Sequence, residues 1–293
     1  MNRSTLLRRT KAANDAMYYI YKHLDTDINI EELADSLGLS RFHLQRVFKD
    51  IFGRNIYESI KSIRLQKAAN LLITNKYSTI SEITGQCGYA SQSSFNKVFR
   101  ERFGMTPKEW RRGGYERYSA QIISASMAAA AAEHNFDGVR PEMVRMPEMT
   151  GCYIRHKGYG RGISDTWQKL WTWALDNGFT RCAQLGLHHD NPAITPLSEC
   201  NYIACLIFEK SSAVRGVTLP LITIPGGTFA KFSLTGRYGD VLNFINWIYH
   251  TWFPASDYET TVLPPYAVYA KNHFLSPDGT FDLAYYVPVT YKF

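Results

Sequence analysis

Along the first hundred or so positions, apolar residues recur with a helical period, and the pattern comes twice. Ile30, Leu33, Ala34 and Leu37 fall at i, i+3, i+4 and i+7, and Ile80, Ile83, Thr84 and Cys87 repeat the spacing. Each run predicts a short amphipathic helix closed by a glycine, Gly38 or Gly88. A second stripe follows each glycine: Leu44, Val47, Phe48 and Ile51 up to Gly53, then Phe95, Val98, Phe99 and Phe103 up to Gly104. Helix, glycine turn, helix is the helix-turn-helix pattern, written once as SRFHLQRVFKDIFG and again as SQSSFNKVFRERFG.

The polar faces of the two second helices carry the candidate chemistry. With Leu44 turned to a core, a rotation of about 100° per residue puts Phe42, Gln45, Arg46 and Lys49 on the opposite side, with Arg41 at the helix start. The matching positions are Ser93, Asn96, Lys97 and Arg100, with Gln92 at the start. Arg and Lys pair with guanine edges, Gln and Asn with adenine, and an exposed Phe meets a thymine methyl. A solvated charged face would explain the basic residues but not Phe42 set in water, so double-stranded DNA is the expected partner.

Between the copies, NIYESIKSIRLQKAANLLITN opens with Asn55 and Glu58 at capping-box spacing and contains no Gly or Pro. A helix of this length spans roughly 30 Å, close to the ~34 Å repeat of B-DNA. It is expected to set two recognition helices in successive major grooves. Ala13, Met17, Ile20 and Leu24 predict a helix before the first copy, and Thr106, Pro107 and Glu109 begin a last short helix carrying Trp110.

Residues 113–140 read as a linker, part helical, with Gly113-Gly114 as a hinge and an alanine tract at 128–132 without a function of its own. From residue 141 strand and helix patterns alternate. TGCYIRH is a strand. Ser164 caps a helix bearing Trp167, Leu170, Trp171 and Ala174, and CAQLGLHH and NYIACLIFE are strands. GTFAKFSL, a helix bearing Val241, Phe244, Ile245, Ile248 and Trp252 that stops at Pro254, PYAVYAK and DLAYYVPVTY repeat the order. The expected fold is multidomain: an all-α N-terminal domain with two helix-turn-helix units joined by a long helix, and an α+β C-terminal domain of two pseudo-symmetric βαββ repeats. The boundaries are 10–112, 113–140 and 141–293.

Charge separates the halves further. Residues 1–117 hold 20 Lys and Arg against 12 Asp and Glu, while the remainder holds 13 against 14, which points to a polyanion partner for the first half only. Five scattered cysteines without C-x-x-C spacing read as reduced thiols, and no run approaches 18 apolar residues, so a soluble, cytoplasmic protein with no membrane partner is expected. His188, His189 and Asp190 do not read as a metal site, because adjacent histidines on a strand point to opposite faces; turn polarity accounts for them. No cofactor, metal or catalytic residue is assigned.

These motifs carry two resemblances. Residues 10–112 resemble the DNA-binding domain of AraC/XylS-type bacterial transcription regulators of the Rob-like branch, through Gly88-Tyr89, Ser94-Phe95, Val98-Phe99 and FGMTPKEWR. The resemblance implies base contacts from Phe42, Gln45 and Arg46 and from Gln92, Ser93, Asn96 and Lys97, with RNA polymerase as a further partner. Thr84 and Gly85 depart from the alanine pattern of the first copy, Ala34, so the second unit is expected to be looser. Residues 141–293 resemble gyrase-inhibitor-like effector-binding domains through PGGTFAKFSLTGRYGDV, WIYHTWFP and the closing PV. That resemblance implies a small-molecule effector, aromatic or cationic, in a pocket between the two repeats, with Tyr159, Trp171, Tyr238, Trp247, Tyr269 and Tyr285 as lining candidates. Ala284 stands where the family often has glutamate, and Glu209 is the acidic substitute by pseudo-symmetry. A protein-interaction module and, less favoured, a hydrolase are the alternatives for this half.

Overall fold

The computed structural model describes residues 3–126, 136, 138–208, 217–261 and 263–291. The alanine tract and Glu209 lie outside the described residues.

The N-terminal half is helical: α1 (Arg3–Lys22), α2 (Ile30–Ser36), α3 (Arg41–Phe52), α4 (Ile56–Thr74), α5 (Ile80–Gln86) and α6 (Gln92–Phe103). Side chains hold the starts. Asn55 and Glu58 form a reciprocal capping box on α4, Thr79 and Glu82 one on α5, and Ser40 and Ser91 accept first-turn N–H groups of α3 and α6. Leu33, Ala34, Leu44 and Phe48 pack against Met17 and Ile20 of α1 and Ile56, Ile60 and Ile63 of α4. Ile83, Cys87, Phe95, Phe99 and Phe103 pack against Leu65, Ala68, Ala69 and Leu72 further along α4.

So α4 serves both cores, and only Tyr57, Glu58 and Lys61 of it are exposed. Arg64 in its middle donates to the carbonyls of Leu24 (3.0 Å) and Thr26 (2.6 Å), in the turn between α1 and α2 that leads into the first unit. Gly88 of the second unit packs against the same place: with φ +69°, a Cβ there would lie 2.4 Å from the Leu24 carbonyl oxygen. The two units are locked through this contact.

Thr84 causes none of the expected looseness by its hydroxyl, which donates to the Ile80 carbonyl at 2.7 Å. The expected Gly113-Gly114 hinge is a fixed bend: Gly113 takes φ +99° at a kink between two helices. Short α7 (Pro107–Glu109) runs on to Trp110, the chain kinks at Arg112-Gly113 and α8 (Tyr115–Ser126) follows, with Gly114 buried where a Cβ would meet Met105 Sδ at 2.6 Å. Tyr115 and Tyr118 pack on the second core beside Trp110, whose indole N–H donates to the Ala69 carbonyl at 3.0 Å. Residues 115–126, expected within a linker, therefore continue the helical half.

The C-terminal half is built on β1 (Glu142–Met146), β2 (Met149–Lys157), β3 (Ala183–His188), β4 (Asn201–Ile207), β5 (Leu221–Ile224), β6 (Gly227–Arg237), β7 (Tyr258–Thr260), β8 (Tyr266–Lys271) and β9 (Thr280–Tyr291). The order across the sheet is β1-β6-β9-β8-β3-β4-β2-β5, antiparallel throughout, with β7 added to β9. Two β-α-β-β units meet at the β8–β3 pair, as the repeated pattern predicts. Their edge strands are exchanged: β1 precedes the first unit but pairs with β6 of the second, and β5 precedes the second but pairs with β2 of the first.

Helices α9 (Ile163–Asp176) and α10 (Asp240–Trp247) cover one face over Trp167, Leu170, Phe232, Phe244 and Tyr285. Leu185, Ile203, Tyr266 and Tyr286 fill the other. Two details correct the sequence reading. Ser164 lies inside the first turn of α9, Gly162 holds the cap position without a side-chain bond, and the Ser164 hydroxyl donates across the pseudo-symmetry axis to the Phe274 carbonyl at 2.9 Å. Pro254 does not stop the second helix. It occupies the first turn of α11 (Phe253–Ala255), where its missing N–H costs nothing, after a π-type turn at Ile248–Trp252.

The halves dock directly. Arg155 of β2 donates to Asn14 Oδ1 (2.7 Å), Asn191 to Asn70 Oδ1 (2.8 Å) and Ser78 to buried Glu259 (3.1 Å). Tyr18 bonds Glu148, and Ile194, just after β3, is buried in the second helical core.

Two glycines of the second unit separate packing from propensity. Gly88→Ala is expected to lower the urea midpoint strongly, because left-handed φ alone costs roughly 1–2 kcal/mol and the carbonyl contact adds to it. Gly85 has nothing within 4 Å of an added Cβ, so Gly85→Ala is expected to stabilise by about 0.5–1 kcal/mol in the same measurement.

Candidate functional site

Two surfaces carry functional chemistry. The first is the outer face of α3 and α6. Both helices start on a serine cap and end on a left-handed glycine, Gly53 or Gly104, so each presents the same length of helix. Arg41, Phe42, Arg46 and Lys49 are exposed on α3, and Gln92, Ser93, Lys97 and Arg100 on α6. Gln45 and Asn96 are half-buried, and Asn96 Oδ1 has no hydrogen-bond partner. Phe42 is 87% exposed, an apolar ring with nothing of its own fold to cover it. Among the described residues Arg46, Lys49, Lys97 and Arg100 make no ion pair, and their charge is left to solvent or a partner. At the far end of α3 the Arg155 guanidinium of β2 lies 4.4 Å from the centre of the Phe52 ring.

The second surface is a cleft between the two β-α-β-β units. Equivalent turns form its rim: Tyr159 and Gly160 before α9, Tyr238 and Gly239 before α10. Its base is Tyr202 of β4 and Tyr269 of β8, whose hydroxyls lie 3.3 Å apart. Gly186 of the intervening strand makes that approach possible, because a Cβ there would fall 2.3 Å from the Tyr202 hydroxyl. The Trp167 indole donates to Tyr202 Oη at 3.0 Å, and the Tyr159 hydroxyl donates to the Asp190 carbonyl at 2.9 Å. His188, His273 and Phe274 complete the wall.

The cleft is electrically quiet. Burial pushes the His188 imidazole down to about 3 and that of His273 to about 4, so both are neutral at pH 7. Burial likewise pushes Tyr269 up to about 12. Among the described residues no carboxylate lines the cleft. At the rim the Arg161 guanidinium sits 5.0 Å from the centre of the Tyr238 ring.

Of the candidates from sequence, Tyr159, Tyr238 and Tyr269 come together here. Trp171 and Trp247 are half-buried against the core and do not line the cleft, Trp247 being stacked on Phe244. Tyr285 is fully buried and faces a different cavity, at the domain junction. Ala284 belongs to the opposite face of the sheet, so its lack of charge does not bear on the cleft. His188, Tyr202, His273 and Phe274 were not among the candidates. For His188 a signal existed in the strand ending CAQLGLHH, but adjacent histidines there looked like turn polarity. Both are in fact enclosed: His188 faces the cleft, and His189 shares a 2.7 Å hydrogen bond with the Tyr21 hydroxyl of α1. Among the described residues no group of three or more His, Cys, Asp or Glu could hold a metal ion, and no helix is long and apolar enough to cross a membrane.

Paired helix-turn-helix units beside a ligand-sized aromatic cleft define a class, the transcription regulators that join a DNA-binding half to a small-molecule-binding half. The chain belongs to the AraC-type family of that class: residues 33–113 match the helix-turn-helix domain family and residues 140–290 the GyrI-like small molecule binding domain family. It is 35% identical to the transcriptional regulator Rob of Salmonella typhimurium over 252 residues, 82% of this chain and 83% of the relative. Regulatory protein SoxS of Escherichia coli K12 is 35% identical over 101 residues, 34% of this chain and 94% of SoxS. The xylose operon regulatory protein of the same strain is 39% identical over 100 residues, 34% of this chain and a quarter (25%) of that protein's length.

The buried histidines set a pH dependence. Their folded pKa values lie below the ordinary value of 6.5, so the unfolded chain binds more protons as pH falls through 6.5; the stability they confer is full above that pH and lost toward 4. The urea midpoint is expected to drop between pH 6.5 and 4.5, by roughly 1.4 kcal/mol per histidine for each pH unit below 6. A His188→Asn, His273→Asn variant should show a shallower slope over that window.

Proposed function

We propose that this protein is a ligand-responsive regulator that reads a DNA operator through α3 and α6 and senses a planar, largely apolar aromatic molecule in the cleft between the two sensory units. The observation that carries the DNA reading is Phe42, exposed on a helix face whose basic neighbours are unpaired. The 19 residues of α4 span about 28 Å, which suits recognition helices in successive major grooves of one duplex. Arg41, Phe42, Gln45, Arg46 and Lys49 form the first reading set, and Gln92, Ser93, Asn96, Lys97 and Arg100 the second. RNA polymerase is the further partner such a regulator would address.

For the effector, the aromatic walls and neutral histidines support a flat apolar ligand. A cation is the weaker fit, because Arg161 already occupies the face of Tyr238 and no carboxylate in the described lining would balance a second positive charge. A ligand in the cleft shifts the protein toward whichever arrangement of the halves it binds better.

Arg46→Ala is expected to weaken a cognate site by ~1–3 kcal/mol and to relax selectivity at one base pair, measured by titrating fluorescent duplexes with single-base changes. Lys49→Ala should instead lower the salt dependence by about one counterion with selectivity unchanged. An Arg46→Ala protein with intact base preference would remove α3 as the reader. For the cleft, planar aromatics such as naphthalene and acridine derivatives are expected to quench Trp167 saturably, and Leu242→Trp, which fills the cleft, to abolish the effect; failure of every compound in such a panel would favour a protein-interaction role for this half.

A further inference from the structure

A second cavity, partly open, lies between α1 and α4 on one side and the C-terminal sheet on the other. It is built differently from the cleft. Tyr21, Gln66 and Asn70 come from the DNA-binding half, and His188, Thr260 and Tyr285 from the sensory half. Ile63, Leu263, Pro264 and Pro265 supply an apolar wall. Three polar groups that line this cavity have no hydrogen-bond partner: His189 Nε2 and, more deeply enclosed, His188 Nδ1 and the Tyr285 hydroxyl, whose residues are only 5% and 0% exposed. Buried donors and acceptors are rarely left unpaired, so these three are natural points of attachment.

Charge selects the kind of ligand. The Lys67 ammonium at this cavity already donates to the Gln86 carbonyl at 2.7 Å, and the Asp190 carboxylate accepts from the Asn201 backbone (2.7 Å) and side chain (2.8 Å). The remaining groups are two imidazoles, of His188 and His189, held neutral by burial, with phenols, amides and hydroxyls. Lys67 and Asp190 are bonded to neutral groups and keep opposite charges, so the lining as a whole favours neither sign, and a ligand of net charge would lose its hydration on entry without a net field to repay it.

We propose that the junction cavity is a second small-molecule site, taking a neutral planar ring that carries hydroxyl or carboxamide groups on one edge. The polar edge meets Tyr285, His188 and the amides of Gln66 and Asn70, and the ring face lies on Ile63 and the Pro264-Pro265 pair. Because the walls come from both halves, an occupant stabilises the docked arrangement that holds α4 against the sheet. His188 lines both cavities, so the two sites share a wall and occupancy of one bears on the other.

The test is calorimetric titration of the full chain with resorcinol, catechol, benzamide and nicotinamide, and with benzoate and benzylamine as charged counterparts. Three variants separate the sites: Tyr285→Phe, which deletes only an unpartnered hydroxyl; Gln66→Leu, on the wall from α4; and Leu242→Trp, which fills the other cleft. Saturable binding of at least one neutral probe is expected, weakened at least fivefold by Tyr285→Phe and by Gln66→Leu, changed less than twofold by Leu242→Trp, and at least tenfold weaker for the charged counterparts. Absence of saturable binding by all four neutral probes would mean a cavity that holds only water and would overturn the proposal. So would loss of binding in Leu242→Trp alone, which moves the probe to the cleft, or equal affinity for a charged counterpart, which refutes the ligand class.

Discussion

Beyond the exposed Tyr57, Glu58 and Lys61, helix α4 is packed on every side, and the rest of the molecule is arranged around that fact. Its first turns belong to one helical core, its later turns to another, and Asn70 on a third side meets the sensory half. A helix enclosed in this way needs apolar residues around its circumference, not a stripe, and KAANLLIT near its end is of that kind. Displacing α4 would disturb both helix-turn-helix cores together. Arg64 and Gly88 strengthen the constraint, since both engage the Leu24 carbonyl and fix the second unit to the turn between α1 and α2. The distance and rotation between α3 and α6 therefore follow from one helix and one glycine contact.

The helical half was legible in the sequence because its signals are local. The stripe Leu44, Val47, Phe48 is buried as its spacing requires, and the Asn55–Glu58 box closes as written. Thr84 was harder to read. A hydroxyl at a close crossing looks destabilising until its acceptor, a carbonyl four residues back in the same helix, is located. Gly113 and Gly114 misled in the opposite sense, because a glycine pair marks either freedom or a tight contact, and only the position of Met105 decides between them.

The sensory half divides similarly. Its repeated strand and helix order could be read, but the edge exchange could not, because β1 and β5 carry no residue that names a distant partner over a near one. The aromatic cleft was half legible. Tyr159 and Tyr238 sit in the glycine turns that mark the repeat, whereas Tyr202 lies in a strand apolar on both faces and gives no sign of which it presents. The docking of the halves was not legible at all. Asn14, Tyr21 and Asn191 are ordinary polar residues in sequence and acquire meaning only as partners across the junction.

The exchanged edge strands also bear on how the chain is made. The helical half is assembled largely from neighbouring segments and can condense soon after it leaves the ribosome. In contrast β1 must wait for β6; Glu142, which pairs with Lys231, has its partner 89 residues downstream. Closing so long a loop is slow, and until it closes the edges of both units stand unpaired. A nascent chain thus passes through a period in which a finished DNA-binding half is tethered to an open, association-prone sheet, and strand exchange between two chains at that stage would be the natural route to a misassembled dimer.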